Sequence, residues 1–174
     1  NGHISASATT RYEYLLDVWN GQTGTAEGQC YGRHSLVLDG ESLSANSNAL
    51  SFLFASGSML LTCATNLTKA QILDDQWHHI AITFQSGSSP NWFELNSYLD
   101  GQHHSKVTPA DQANVSFRGA VTGSLIANIG AARRPGVQRA QVAALSSGQK
   151  IDGYGKLSGS IDEFRFWKKP RTPK

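Results

Sequence analysis

Asp75-Gln76-Trp77-His78-His79-Ile80-Ala81-Ile82-Thr83-Phe84, followed by Tyr98-Leu99-Asp100-Gly101, is the stretch that decides the fold. Ile80, Ile82 and Phe84 alternate with Ala81 and Thr83, the period-two pattern of a strand with one buried face. In a second arm, Phe93, Leu95, Ser97 and Leu99 share one face, while Trp92, Glu94, Asn96 and Tyr98 share the other. Gln85 to Asn91, rich in serine and carrying Pro90, suits a connector and neither helix nor strand. Asp100-Gly101 predicts a second tight turn, because these residues tolerate the positive φ that two-residue hairpins require. The expectation is a three-stranded meander ending near Val107.

Further out, Gly159-Ser160-Ile161-Asp162-Glu163-Phe164-Arg165-Phe166-Trp167 reads as a strand with Phe164 and Phe166 inward and Glu163 and Arg165 outward. Ser35 to Leu38, Leu50 to Phe54, Met59 to Thr62, Val115 to Phe117 and Leu125 to Ile129 are short apolar runs separated by Gly, Ser, Asn or Asp. No stretch has sustained helical periodicity. Many short strands at regular spacing predict an all-β sandwich or barrel in which the apolar face of each sheet covers the other.

Trp-His-His-apolar-Ala-apolar-Thr, then Tyr-Leu-Asp-Gly, then Gly-Ser-Ile-Asp-Glu-apolar-Arg-apolar-Trp, in that order, resembles the concanavalin A-like jelly roll of laminin G-like and pentraxin-like domains, over roughly Tyr12 to Trp167. The resemblance implies a two-sheet antiparallel jelly-roll sandwich. Members of that family include sugar-binding modules, adhesion domains and enzyme accessory domains, so the family alone does not choose a function. Such domains open with an apolar strand ending in Asp-Gly well before the strand that carries the tryptophan. Leu36-Val37-Leu38-Asp39-Gly40 sits too close to Trp77 for that, and is expected as a middle strand with Tyr14 to Trp19 before it. Asn20 to Gln29 then becomes an exposed loop, and Arg133 to Lys156 a long insertion whose Arg139 to Leu145 part suits a turn or two of helix.

At 174 residues the chain suits one domain, residues 1–174, able to bury a two-sheet core without metals or disulfides. Its single methionine is Met59, so it reads as a processed or excised piece of a larger parent with flanking domains. A formal charge of +2 implies no field suited to nucleic acid or an anionic membrane. Arg133, Arg134 and Arg139, and Lys168, Lys169, Arg171 and Lys174, read as solvated charge. No apolar run approaches the roughly 20 residues that span a bilayer, and no signal peptide is recognisable.

Cys30 and Cys63 are placed to close one loop by a disulfide worth roughly 3 to 4 kcal/mol in the chain-entropy picture, or to stay free. Asn66-Leu67-Thr68 and Asn114-Val115-Ser116 are acceptor patterns for N-linked sugar at Asn66 and Asn114 in a eukaryotic secreted protein. With the family resemblance they point to an extracellular, cell-surface or lumenal location, where a disulfide persists.

For catalysis the signals are thin. No Gly-x-Ser-x-Gly elbow or Cys-x-x-Cys pair occurs, and Asp162 and Glu163, as neighbours on a strand, would face opposite ways instead of flanking a glycosidic bond. The chain is expected not to be an enzyme, with a glucanase-type hydrolase the remote third reading. His78-His79 and His103-His104 invite a zinc reading, but adjacent strand residues point oppositely and nothing at ligand spacing completes a set. Both pairs are expected to be structural or surface residues, with His78 hydrogen-bonded on the core side. The family resemblance implies calcium as the one candidate cofactor, with Asp162 as a ligand; the alternative is that Asp162 caps neighbouring backbone amides.

Sugar binding asks for an aromatic platform flanked by side chains that pair with hydroxyls. Trp92, Glu94, Asn96 and Tyr98 on one arm, with Trp77, His79 and Thr83 on the other, supply such a set on the outward face. The first expectation is a non-catalytic carbohydrate-binding or adhesion module whose partner is a glycan. The second is a protein-interaction or structural domain using rim loops or the 133–156 insertion against a protein partner.

Overall fold

The structure, a computed structural model, describes residues 12–20, 32–39, 44–56, 59–86, 93–108, 124–132 and 156–167. Cys30, Trp92, Asn114, the Val115 to Phe117 run, most of the Asn20 to Gln29 loop, residues 133–155 and both basic clusters lie outside them. Eight strands are described: β1 (Tyr12–Trp19), β2 (Gly32–Asp39), β3 (Leu50–Ser56), β4 (Met59–Ala64), β5 (Ile80–Ser86), β6 (Phe93–Leu99), β7 (Gln102–Val107) and β8 (Ile126–Ile129). One short helix, α1 (Lys69–Ile72), follows β4, and both the N–H and the hydroxyl of Thr68 donate to Gln71 Oε1 at its start. No helix among the described residues is long and apolar enough to cross a membrane.

The strands form two antiparallel sheets, one of five in the order β4-β3-β2-β1-β8 and one of three in the order β5-β6-β7. This all-β, two-sheet arrangement matches the reading of the strand pattern. The hairpin pairs Ile80 with Leu99, Ile82 with Ser97 and Phe84 with Leu95, so the alternating apolar residues do share one face. Asp100 and Gly101 turn at φ of 52° and 81°, the double left-handed step that links β6 to β7. β2, which holds Leu36 to Asp39, lies in the middle of its sheet between β1 and β3.

The sheets meet through Phe52, Phe54 and Cys63 on one side and Phe93, Leu95 and Val107 on the other, with Ile82 and Phe84 packed against them. A neighbouring cluster joins Leu38, Leu50 and Leu67 to Ile80 and Leu99. The five-stranded sheet is buried on its other face too, where Tyr14, Val37, Leu53 and Ala132 form a separate cluster. That explains the near-continuous apolar run in β3, because a strand covered on both faces has no solvent side to fill with polar residues. The same face holds a buried ion pair, with Arg33 Nε and Nη2 donating to Asp17 at 2.5 and 2.8 Å.

One expectation is corrected. Gly159 to Trp167 is not a strand: Glu163 turns at φ 54°, its N–H donates to Asp162 Oδ1, and Arg165 pairs with Glu163 two residues back. A left-handed residue in mid-segment ends the alternation that would have kept Phe164 and Phe166 on one inner face. Phe166 and Trp167 are 67% and 54% exposed. The segment is tied to the fold just before, where Leu157 N–H donates to Gly130 O and Ser158 donates twice to the carboxylate of Glu13.

Candidate ligand-binding face

The outer face of the three-stranded sheet follows from the register. Glu94, Asn96 and Tyr98 alternate on β6, opposite Gln85, Thr83 and Ala81 of β5, while Asn96 faces Lys106 and Tyr98 faces His103 of β7. Cross-strand neighbours on one face are close enough to bond, and here they do. Lys106 Nζ lies 2.6 Å from Glu94 Oε2, Asn96 Nδ2 donates to Glu94 Oε1 at 2.8 Å, and His103 Nε2 donates to Asn96 Oδ1 at 3.1 Å. The chain ends on Tyr98, whose ring meets that of His103 edge-on at 5.2 Å. The bonds from Lys106 and then Asn96 hold the Glu94 carboxyl below its ordinary range, so it is a charged acceptor at neutral pH.

Of the expected sugar-binding residues, the structure brings Glu94, Asn96 and Tyr98 together. Trp77 and His79 precede the first rung of the hairpin and take no part in this chain of contacts; Trp77 is 73% exposed at the end of the sheet. Lys106 and His103 complete the row. Lys106 is legible in retrospect, because a meander puts β7 beside β6 and alternation puts Lys106 on the face of Asn96. His103 depends on an irregularity in register, since Ser97 pairs Ser105 while Tyr98 pairs His103, leaving His104 as the extra residue. The bulge separates the two histidines, and His104 Nε2 donates instead to Asn66 O at 2.9 Å.

His78 is hydrogen-bonded, as expected, though to two exposed carboxylates. Nδ1 lies 2.9 Å from Asp100 Oδ2 and Nε2 lies 2.9 Å from Asp74 Oδ1, while Asp100 Oδ1 also accepts from His79 N–H. Two acceptors on one ring call for two N–H donors, which is the imidazolium, and the Asp100 and Asp74 bonds raise the pKa of His78. Both carboxyls are lowered in turn, chiefly by His78. The latch thus joins the loop before β5 to the β6–β7 turn. Its contribution is complete below the unfolded histidine pKa and is lost as pH rises through the raised one; on the acid side it is lost as the two carboxyls protonate. The gap in urea midpoint between the wild type and His78→Gln is expected to be widest near pH 6 and to narrow as pH rises into the alkaline range. A gap that stays constant across that range would mean that His78 is held neutral.

The remaining candidates stand apart from this face. Cys63 is a buried free thiol on β4, its pKa pushed up to about 11 by burial, and the disulfide reading falls on Cys30, outside the described residues. Asn66 is exposed at φ 60°, between β4 and α1. Asp162 is exposed and caps the Glu163 amide, the alternative to a calcium ligand. Among the described residues no three His, Cys, Asp or Glu side chains converge to hold a metal ion.

The buried pair of Arg33 and Asp17 was not anticipated. Ser35 Oγ donates to the same carboxylate at 2.9 Å, and the guanidinium carbon lies 5.9 Å from the Tyr14 ring centroid. An acid inside the apolar strand Tyr12 to Trp19 was the available signal, but its partner sixteen residues away emerges only from the β1–β2 register. No protein-family model, no curated protein and no solved structure matches this chain. The class that stands on the fold is therefore an all-β, two-sheet domain.

Proposed function

We propose that the domain is a non-catalytic carbohydrate-binding or adhesion module, its fold a jelly roll of the concanavalin A-like kind, carried by a larger extracellular or surface protein. The observation that carries this reading is the row Lys106–Glu94–Asn96–His103–Tyr98, in which charged and neutral donors and acceptors run beside an aromatic ring along one sheet face. Hydroxyl-rich ligands are recognised by such adjacent donor and acceptor groups, with an aromatic ring against the apolar face of the sugar. Glu94 is poised as a charged acceptor for ligand hydroxyls.

A glycan array probed with the domain is the test. Glu94→Ala removes an acceptor worth about 1.5 to 3 kcal/mol when charged, so binding should weaken about tenfold to a hundredfold, and Asn96→Ala should act in the same direction. Wild-type domain that binds no glycan, with or without calcium, would end this reading. The second reading, a protein-interaction domain using its rim and the 133–156 insertion, draws on exposed Phe164, Phe166 and Trp167, since clustered exposed aromatics mark contact surfaces. A protein partner recovered from the native source, and lost on changing Phe166 and Trp167 to serine while Glu94→Ala still binds it, would favour that alternative.

A further inference from the structure

His34 stands on β2 with its side chain on the inter-sheet face, inside a cage of phenylalanines contributed by both sheets. Its ring centroid lies 4.5 Å from Phe54 and 6.0 Å from Phe52 of β3, and 5.9 Å from Phe84 of β5. Across the ladder on β1 it faces Val18, which is buried, while His34 itself is partly buried. The titratable group of the adjoining cluster is the Cys63 thiol of β4, which stays neutral through the acid and neutral range. Arg33 and Ser35, its neighbours in sequence, point to the opposite face, where Asp17 engages both. Among the described residues no carboxylate and no hydrogen-bond partner meets the His34 ring.

We propose that His34 is an acid-sensitive clasp between the two sheets: neutral, it completes the aromatic interface, and on taking a proton it loosens the three-stranded sheet from the five-stranded one. The physical basis is that a charged imidazolium gives up much of its hydration among apolar rings, with no anion to replace it. The bond that forms is a single N–H from solvent, and nothing else is transferred. Burial lowers the pKa of His34 from 6.5 to about 4. Between those values the unfolded chain binds a proton that the folded chain refuses, so stability falls as pH falls. With these two pKa values the folding equilibrium constant drops about 30-fold by pH 5 relative to pH 8, and about 150-fold by pH 4.

The other shifted groups leave a window in which this effect stands alone. The contribution of His78 is complete below the ordinary histidine pKa and is lost only toward alkaline pH. Asp74, Glu94 and Asp100, all held low, lose theirs only as pH drops through and below the ordinary carboxylate range. Between about pH 6.5 and pH 5, therefore, the slope belongs to His34 among the groups with shifted pKa. The consequence is a two-sheet interface whose stability margin narrows about 30-fold toward pH 5 while the domain stays folded.

Urea unfolding of the whole chain at pH 6.5, 6.0, 5.5 and 5.0, for the wild type and for His34→Leu, tests this. The wild type is expected to lose about 15-fold in its folding constant over that range, and the variant to stay within about threefold. An equal slope in both proteins would overturn the proposal. A second measurement covers the case in which His34→Leu fails to fold: the ring protons of His34 are followed by NMR in the folded wild type. A ring still neutral at pH 5 supports the clasp, and titration near pH 6.5 refutes it.

Discussion

Arg33→Ala is expected to destabilise the domain by roughly 3 to 5 kcal/mol, because it removes the two guanidinium bonds that balance the Asp17 carboxylate in the interior. Asp17 and Arg33 are 0% and 2% exposed, so water cannot take over the lost bonds. At roughly 2 to 4 °C per kcal/mol for a chain of this size, the melting temperature should fall on the order of 10 °C. Asp17→Leu should be comparably costly for the converse reason, the loss of the carboxylate that balances the buried guanidinium. The double variant Asp17→Leu/Arg33→Met decides what the pair contributes. Replacing both charges with apolar groups of similar volume is often neutral or favourable, so the double variant should recover most of the loss. If the two single losses simply add, the pair is not coupled and this account of the second face is wrong.

Phe84→Ala should cost about 3 kcal/mol, at the low end for a phenylalanine because its ring is only partly buried. Its importance comes from position. From the three-stranded sheet it stacks on Phe52 and Phe54 at 5.3 Å each, with Phe93 beside it at 6.1 Å. Truncation empties the centre of the interface between the sheets. Phe84→Leu, which retains much of the volume, should cost about 1 kcal/mol, and Trp77→Ala should stay within about 0.5 kcal/mol of the wild type despite removing a larger ring. Chemical denaturation of the three variants under one set of conditions checks the order. A Trp77→Ala loss as large as that of Phe84→Ala would place Trp77 in the core.

Much of this architecture was legible in residue order. The alternation of Ile80, Ile82 and Phe84 against Leu95 and Leu99 is a local property of two strands joined by a turn, and Asp100-Gly101 carries its own backbone preference, so hairpin, faces and meander followed directly. Glu94, Asn96 and Tyr98 were placed together for the same reason. What escaped was set by register and by long-range pairing. The bulge that turns His103 toward Tyr98 and His104 toward Asn66 shifts the alternation of β7 by one residue, which no pattern in Gln102 to Val107 announces. Trp77 looked like part of the binding row, yet it lies before the ladder begins. Phe164 and Phe166 have strand-like spacing, but spacing cannot say whether a neighbouring strand is there to accept them, and the left-handed turn at Glu163 removes them from the core.

The sequence by itself determined that this chain forms strands and which residues of the hairpin face inward, because periodicity and turn chemistry act over a few residues. Only the tertiary structure decided that both faces of the five-stranded sheet are buried, that Asp17 meets Arg33, and that His34 is caged by rings from two sheets. Those are outcomes of which strands lie side by side and which faces close on each other, and burial, which sets the energy and the pKa of every one of these groups, does not exist until they do.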